Sequence, residues 1–133
     1  MSITEKYYHA RTDEDSNRYR EYLKKQIGCV FCQIPDSIYI KNVTEENESF
    51  WILKNEFPYA VYDGGKVVDH LMIVPKKHIE GISNLTEHEQ KGLIELLIKY
   101  ELLGYSFMAR CPNDNGKTIA HQHTHLIKTT ELK

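Results

Sequence analysis

Apolar residues recur at helical spacing in two parts of the chain. After the capping box Thr86–Glu89, leucines and a tyrosine follow at intervals of three and four residues, and Gly104 ends the run. This pattern predicts one long amphipathic helix. A second helix is predicted over about 15–27, where tyrosines and aliphatic residues are similarly spaced between an acidic turn and Gly28.

Shorter apolar or alternating segments predict strands, and most of them lie between the two helices. The predicted strands are 38–40, 50–53, 59–62, 70–74, 105–109 and 119–127. Because these strands are grouped and do not alternate with helices, their order predicts an α+β domain with a mainly antiparallel sheet.

Composition and charge restrict the function more than they define it. The 133 residues suit one domain, and a hydrophobic content of 41% is enough for one core. A formal charge of −2 gives no basic surface for general nucleic-acid binding. No apolar run approaches the roughly 20 residues of a membrane span, and residues 1–6 lack the apolar core of a secretion signal. We therefore expect a cytoplasmic protein with no membrane partner.

The cysteines point to a metal or redox site. The chain has three, an odd number, and two of them form the motif Cys29-Val30-Phe31-Cys32. A thioredoxin-like pair would follow a strand and open a helix. Here the motif follows a predicted helix and Pro35 comes soon after it, so a metal knuckle is favoured. Cys111 receives no role.

Three histidines occupy alternate positions in the segment 120–127. An extended strand would place the side chains of His121, His123 and His125 on one face, about 6.5–7 Å apart, whereas a helix would scatter them. A packed core has little use for such a row, because each imidazole needs a hydrogen-bond partner when it is buried. The alternative is a solvated strand face or a chance cluster.

The segment His121-Gln122-His123-Thr124-His125-Leu126-Ile127 resembles the signature of the histidine-triad (HIT) family. In that signature three histidines alternate with mostly apolar residues, and two apolar residues follow; Gln122 and Thr124 are polar where the family usually has apolar residues. The resemblance covers roughly 29–127. It implies a HIT-like antiparallel sheet with the long helix packed on it, often in a homodimer.

The predicted division of the chain follows from this resemblance. Residues 1–28 are expected to form an N-terminal helical extension without a chemical role, and 29–133 the HIT-like domain.

A structural zinc site is also implied by the resemblance. HIT-like proteins that keep the Cys-x-x-Cys motif use it with the histidine of a Pro-x-x-His segment and with the first histidine of the triad. In this sequence those ligands are Cys29, Cys32, His78 and His121. Four protein ligands close a tetrahedral Zn²⁺ shell and leave no position for water or substrate. The alternative for His78 is an ordinary surface histidine beside two lysines.

The remaining triad residues carry the implied chemistry. The resemblance makes His123 the nucleophile, transiently nucleotidylated at the α-phosphate, and His125 the residue that orients the phosphate and assists the leaving group. Lys117 and Thr118 stand where family members contact the phosphates. An imidazole can act in this way when its ring is neutral and its far nitrogen is held as a donor.

Two further positions complete the expected nucleotide site. Asn55, before Phe57-Pro58, stands where many HIT hydrolases bind the ribose, although asparagine before a turn also has purely local reasons. His70 either contacts phosphate or braces the triad, or is a satisfied core histidine. The base is expected to pack against Ile34, Ile52 or Leu53, although these are equally well explained as ordinary core residues.

The predicted function is a nucleotide hydrolase that cleaves a phosphoanhydride or phosphoramidate through a covalent nucleotidyl-histidine. Dinucleoside polyphosphates and nucleoside phosphoramidates are the expected substrate classes. A nucleotidyltransferase or phosphorylase of the same family is the first alternative, but these usually carry glutamine where His125 stands. A zinc-stabilised nucleotide-binding module without turnover is the second, and the complete triad argues against it.

Overall fold

An antiparallel sheet forms the centre of the fold. The computed structural model describes residues 8–131, and in that part of the chain seven strands join one sheet. The strands are β1 (His9–Ala10), β2 (Val43–Glu46), β3 (Phe50–Lys54), β4 (Val61–Tyr62), β5 (Gly65–Pro75), β6 (Ser106–Ala109) and β7 (Thr124–Glu131). The α-helices are α1 (Asp13–Lys24) and α2 (Glu87–Leu102), and short 3₁₀ helices cover Ile34–Asp36, Ile38–Asn42 and Ile82–Asn84.

The long strand β5 organises the sheet. It pairs with β3 on one side and with β7 on the other, while β2 and β6 lie outside these two. Opposite its first residues, β4 pairs with β5, and β1 pairs with β4. The register places Met72 opposite His125 and His70 opposite Ile127. Since side chains alternate along a strand, His70 and His125 lie on the same face as diagonal neighbours.

The two faces of the sheet bury different partners. Helix α2 covers one face, where Ile52, Ile73 and Leu126 are fully buried with Leu93 of the helix. On the other face, α1 and the 3₁₀ segments pack against Leu53, Met72 and Val74. That second cluster includes the aromatic residues Tyr19, Phe31, Tyr39 and Phe57. The α+β class and the long packed helix are therefore confirmed.

Helix boundaries follow local chemistry. The capping box of α2 is formed: the Glu89 N–H donates to Thr86 Oγ1, and the Thr86 N–H donates to Glu89 Oε1. Gly104 follows the helix at a φ of +94°, a conformation that glycine adopts without strain. Helix α1 begins two residues earlier than predicted, because Thr12 caps it, and it ends at Lys24 instead of near 27.

Two sequence predictions are wrong in detail. The predicted strand 38–40 is part of a 3₁₀ helix, because Ser37 Oγ accepts the Tyr39 N–H and starts a tight turn. The predicted strand 119–127 starts only at Thr124 and continues to Glu131. Its partner β5 ends at Pro75, which has no N–H to donate, and the Gln122 N–H bonds instead to the Ile79 carbonyl.

The N-terminal segment joins the sheet directly. The pairing of β1 with β4 adds residues 9–10 to its edge, and the Ala60 N–H donates to the Ala10 carbonyl. The division of the chain at residues 28 and 29 stays a prediction. None of the helices in residues 8–131 is long and apolar enough to cross a membrane.

Candidate functional site

The four predicted metal ligands lie together. The ligand atoms of Cys29, Cys32, His78 and His121 all lie within 4.8 Å of one another. Nδ1 of His121 is 3.4 Å from Cys29 Sγ and 3.5 Å from Cys32 Sγ, and Nδ1 of His78 is 3.2 Å from Cys32 Sγ. Ligands around a tetrahedral zinc ion are separated by about 3.3–3.8 Å, given bonds of 2.0–2.3 Å. The sulfur–nitrogen distances therefore fit such an ion.

Hydrogen bonding at His121 supports the same assignment. This side chain is fully buried, and its Nε2 lies 2.8 Å from the Pro75 carbonyl oxygen. A carbonyl only accepts, so Nε2 carries the proton and Nδ1 presents its lone pair to the two sulfurs. Burial and the neighbouring Cys29 raise the pKa of Cys32 to about 11, so a thiolate at Cys32 requires a cation beside it.

His123 is held by its other nitrogen. Its Nδ1 lies 2.9 Å from the carbonyl oxygen of His121, so Nδ1 carries the proton and Nε2 is left with a lone pair. Burial lowers the pKa of His123 to about 4, although the bond to the His121 carbonyl opposes this shift. The ring is therefore neutral at pH 7, and it lines a cavity beside the end of the sheet.

A chain of hydrogen bonds fixes His125 behind the cavity. The Tyr59 N–H donates to Nδ1 of His70, so the proton of this imidazole is on Nε2. That nitrogen lies 2.8 Å from Nδ1 of His125 and donates to it. Burial lowers the pKa of His70 to about 3, and burial also holds the pKa of His125 well below its usual range, with His123 adding to the effect. The result is a neutral His125 that keeps one donor, Nε2–H.

The cavity brings most of the predicted site residues together. It has a volume of about 180 Å³, and its lining includes the predicted residues Asn55, Lys117, Thr118, His123 and His125. His70 does not line it and instead contacts His125 from behind. This geometry fits bracing of the triad, one of the two functional roles predicted for His70.

Each of the three other predicted nucleotide contacts forms a hydrogen bond within the protein. Asn55 Oδ1 accepts the Phe57 N–H at 2.8 Å, which is the local turn bond expected of an asparagine at this place. The Lys117 ammonium donates to the Glu80 carbonyl at 2.7 Å. The Thr118 hydroxyl shares a hydrogen bond with the phenol of Tyr19. All three keep a position on the cavity wall, and their roles in nucleotide binding stay predictions.

The N-terminal segment contributes to the cavity, although no chemical role was predicted for it. His9, Arg11 and Tyr19 line the wall, and Arg110 joins them from the residue after β6. Sequence reasoning missed these residues because polar side chains are common at any protein surface and no motif surrounds them.

Of the two interpretations of the predicted base contacts, the structure agrees with ordinary core residues. Ile34, Ile52 and Leu53 are all fully buried in the core and do not line the cavity. Phe31, Tyr39 and Ile119 supply apolar surface there instead. Positions of this kind were missed because a 3₁₀ segment and a loop carry them, and neither has a periodic pattern that separates the core side from the cavity side.

Comparison with solved structures identifies the architecture. A HIT family hydrolase from Legionella pneumophila superposes with a TM-score of 0.59 at 23% identity, covering 80% of this chain and 96% of that one. A HIT family hydrolase from Clostridium thermocellum gives a TM-score of 0.60 at 22% identity, covering 82% and 96%. The fold is HIT-like.

Sequence comparison agrees with the HIT-like fold. An uncharacterised HIT-like protein of Chlamydia muridarum is 29% identical over 90 residues, covering 62% of this chain and 66% of its own length. A HIT-like protein of Chlamydia pneumoniae is 29% identical over 106 residues, covering 74% and 90%. No protein-family model matches the chain. The chain is therefore similar in sequence to proteins named HIT-like, and it shares its fold with the structural neighbours.

Proposed function

We propose that this chain is a nucleotide hydrolase that cleaves at the α-phosphate through a nucleotidyl group on His123. One observation carries the proposal: the Nδ1 proton of His123 is held by a carbonyl, which leaves Nε2 with a lone pair on a neutral ring that lines the cavity. The HIT family hydrolases from Legionella pneumophila and Clostridium thermocellum share this fold, and their names agree with the hydrolase part of the proposal.

The proposed reaction has two displacements at phosphorus. Nε2 of His123 attacks the α-phosphorus, and the bond to the leaving group breaks with its electron pair on the departing atom. Water then attacks the same phosphorus, and the nitrogen–phosphorus bond breaks with its electron pair returning to Nε2. One proton of the water passes to solvent, and the nucleoside monophosphate is released. Lys117 and Thr118 supply donors for the phosphate oxygens, where charge is stabilised in both steps.

His125 assists as a donor whose direction is fixed. Because His70 donates to its Nδ1, its Nε2–H is the free donor on a ring that lines the cavity. This group binds a phosphate oxygen or the leaving atom. Asn55 is proposed to bind the ribose, and Phe31 with Tyr39 to pack against the base, since these side chains occupy the same wall.

The metal cluster is proposed to hold structural Zn²⁺. Two thiolates and two imidazoles satisfy its tetrahedral preference, and four protein ligands leave no place for substrate. An ion there ties the cysteine knuckle, residues 29–32, to the segment that presents His123. A cytoplasmic location stays a prediction.

A homodimer is proposed through the outer face of α2. Ile94, Ile98 and Leu102 recur every fourth residue and are 54%, 54% and 82% exposed, and Phe107 on the neighbouring strand β6 is 48% exposed. A second copy that covers this patch would shield it from water. We expect sedimentation to give twice the chain mass, and Ile98→Lys to give a monomer; a monomeric parent protein would contradict the proposal.

A substrate panel with intact-protein mass spectrometry tests the hydrolase proposal. Dinucleoside polyphosphates and nucleoside phosphoramidates are mixed with the enzyme and quenched in acid-free denaturant. We expect release of a nucleoside monophosphate and a transient mass increase of one nucleotidyl group, lost in His123→Ala. Transfer of that group to inorganic phosphate in preference to water would favour the phosphorylase alternative, and absence of any turnover would refute the enzyme assignment.

A further inference from the structure

The cavity that His123 and His125 line is cationic. Arg11, Arg110 and Lys117 line the same cavity as His123 and His125, and no acidic side chain lines it within residues 8–131. The chain as a whole has a formal charge of −2. Positive charge is thus concentrated at the one place where the proposed chemistry occurs, which favours an anionic ligand.

Arg11 is held in place, yet most of its donors are unused. Its Nε donates to the Phe57 carbonyl, and its guanidinium carbon lies 4.4 Å from the ring centre of Tyr19 and 5.0 Å from that of Tyr59. Among the described residues no carboxylate lies within ion-pair distance, and no acceptor binds its two terminal nitrogens. A stacked guanidinium whose four terminal N–H groups meet no acceptor within residues 8–131 is arranged for a planar or phosphate acceptor.

Arg110 approaches from another element. One terminal nitrogen lies 3.4 Å from Nε2 of His9, and the other is 3.6 Å from a carboxylate oxygen of Asp114. At 3.6 Å this ion pair is longer than a hydrogen bond, and the same oxygen also accepts the Gly116 N–H at 2.7 Å. The positive charges of both arginines also act on His125, because they add to the lowering of its pKa.

The neutral pair of His70 and His125 restricts the leaving group. Each ring has one proton, and the proton of His70 is already donated to His125. If His125 released its remaining proton completely, an imidazolate would be left behind. A leaving amine needs such a proton, whereas a departing phosphate oxygen is stable as an anion and needs only compensation of its charge.

We propose that Arg11 and Arg110 form a specificity-determining subsite for the phosphate-bearing leaving group of the substrate. This inference rests on the proposed function and selects phosphoanhydrides over phosphoramidates. In the first displacement, the bond from Nε2 of His123 to the α-phosphorus forms and the bridging phosphorus–oxygen bond breaks. The electron pair stays on the departing phosphate oxygen, whose charge the two guanidinium groups bind, and no proton is transferred.

Leaving-group comparison is the kinetic test. Diadenosine triphosphate, which releases ADP, is compared with adenosine 5′-phosphoramidate, which releases ammonia, and the guanosine analogues are run in parallel. We expect kcat/KM to be at least about tenfold higher for the triphosphate. Arg11→Gln and Arg110→Gln should each lower that preference by about tenfold to a hundredfold, the usual size of a lost charge-assisted contact. Arg11→Lys should restore part of it.

Arg20→Gln is the matched control. This arginine lies on α1, is exposed and bonds to Asn17 outside the cavity, so its loss should leave both rates unchanged. An equal fall with both substrates in Arg11→Gln and Arg110→Gln would mean that the arginines support the fold or the nucleotide, and would overturn the subsite. A parent enzyme that prefers the phosphoramidate would overturn it as well.

A binding experiment separates this inference from the hydrolase proposal. His123→Ala is titrated with AMP, ADP and ATP, and the same titrations are repeated with Arg11→Gln added. We expect affinity to rise about tenfold or more from AMP to ATP, and the added substitution to remove that increase. If turnover is absent but the increase is found, the hydrolase proposal fails and the subsite stands. Equal affinity for AMP and ATP refutes the subsite, whatever the turnover.

Discussion

The proposed metal cluster and the cavity of the proposed chemistry are built from alternate histidines of one short segment, yet they use opposite nitrogens. His121 gives Nε2–H to the Pro75 carbonyl and turns Nδ1 towards two sulfurs. His123 gives Nδ1–H to the His121 carbonyl and keeps Nε2 free. In both cases a backbone acceptor selects the tautomer. What differs is the surroundings: one free nitrogen meets a closed ligand set, and the other meets a cavity.

This difference shows why a row of histidines does not define equivalent residues. His121 and His123 are two positions apart and bond to different carbonyls. The first therefore has the proposed structural nitrogen, and the second has the proposed reactive one. The roles assigned to the two sites therefore predict separable effects on stability and on turnover.

The largest expected effect is on turnover. His123→Ala removes the proposed nucleophile, so kcat/KM should fall by at least about a thousandfold. The metal ligands are untouched, so metal content and melting temperature should stay close to those of the parent. His88→Ala, at an exposed position of α2, is the control and should keep full activity. Retained turnover in His123→Ala would break the distinction between the two histidines.

Loss of a metal ligand should act on the fold. Cys29→Ser removes one of four ligands, and because metal binding is linked to folding we expect a loss of several kcal/mol and a melting temperature lower by about 10 °C or more. Per folded molecule, turnover should change much less. Cys111→Ser is the matched control, since Cys111 is exposed and outside the cluster. Unchanged stability in Cys29→Ser, or absence of zinc in freshly purified protein, would contradict the structural ion.

A smaller effect should appear in the pH dependence of stability. The pKa of His70 is about 3 in the folded chain because of burial, against 6.5 for the free side chain. Below pH 6.5 the unfolded chain binds a proton that the folded chain does not, so stability is present above pH 6.5 and is lost as the pH falls towards 3. The contribution is up to about 1.4 kcal/mol per pH unit.

Denaturant unfolding between pH 4 and 7.5 measures this contribution. On acidification, the free energy of unfolding of His70→Gln should fall less steeply than that of the parent. That of His88→Gln should fall as steeply as that of the parent. The metal ligands are the same in all three proteins, so acid release of the ion cancels in the comparison. Identical slopes for His70→Gln and the parent would mean that the pKa of His70 is not lowered by folding, which would contradict a neutral, buried His70 over this pH range.

Much of the fold could be predicted because its cues are local. The capping box at Thr86 needs only four residues, and the buried strand around Ile73 is read from a continuous apolar run. The metal ligands Cys29, Cys32, His78 and His121 were predicted by a resemblance of spacing, and the structure brings them together.

The rest depends on pairings between distant parts of the chain. Where β7 begins is decided by the end of β5 at Pro75, about fifty residues earlier in the sequence. Arg11 reaches the cavity because β1 pairs with β4, and two-residue strands have no periodicity to detect. Contacts of this kind are tertiary, so no local pattern could have assigned them.

The position of His121 has a consequence for anyone who wants to transplant this chemistry. Its ring faces the cysteine knuckle while its carbonyl holds the neighbouring imidazole. A scaffold given only the alternating histidines would have a nucleophile free to exchange its proton between both nitrogens. A working graft would have to include the cysteine knuckle and the Pro75 carbonyl together with the histidines.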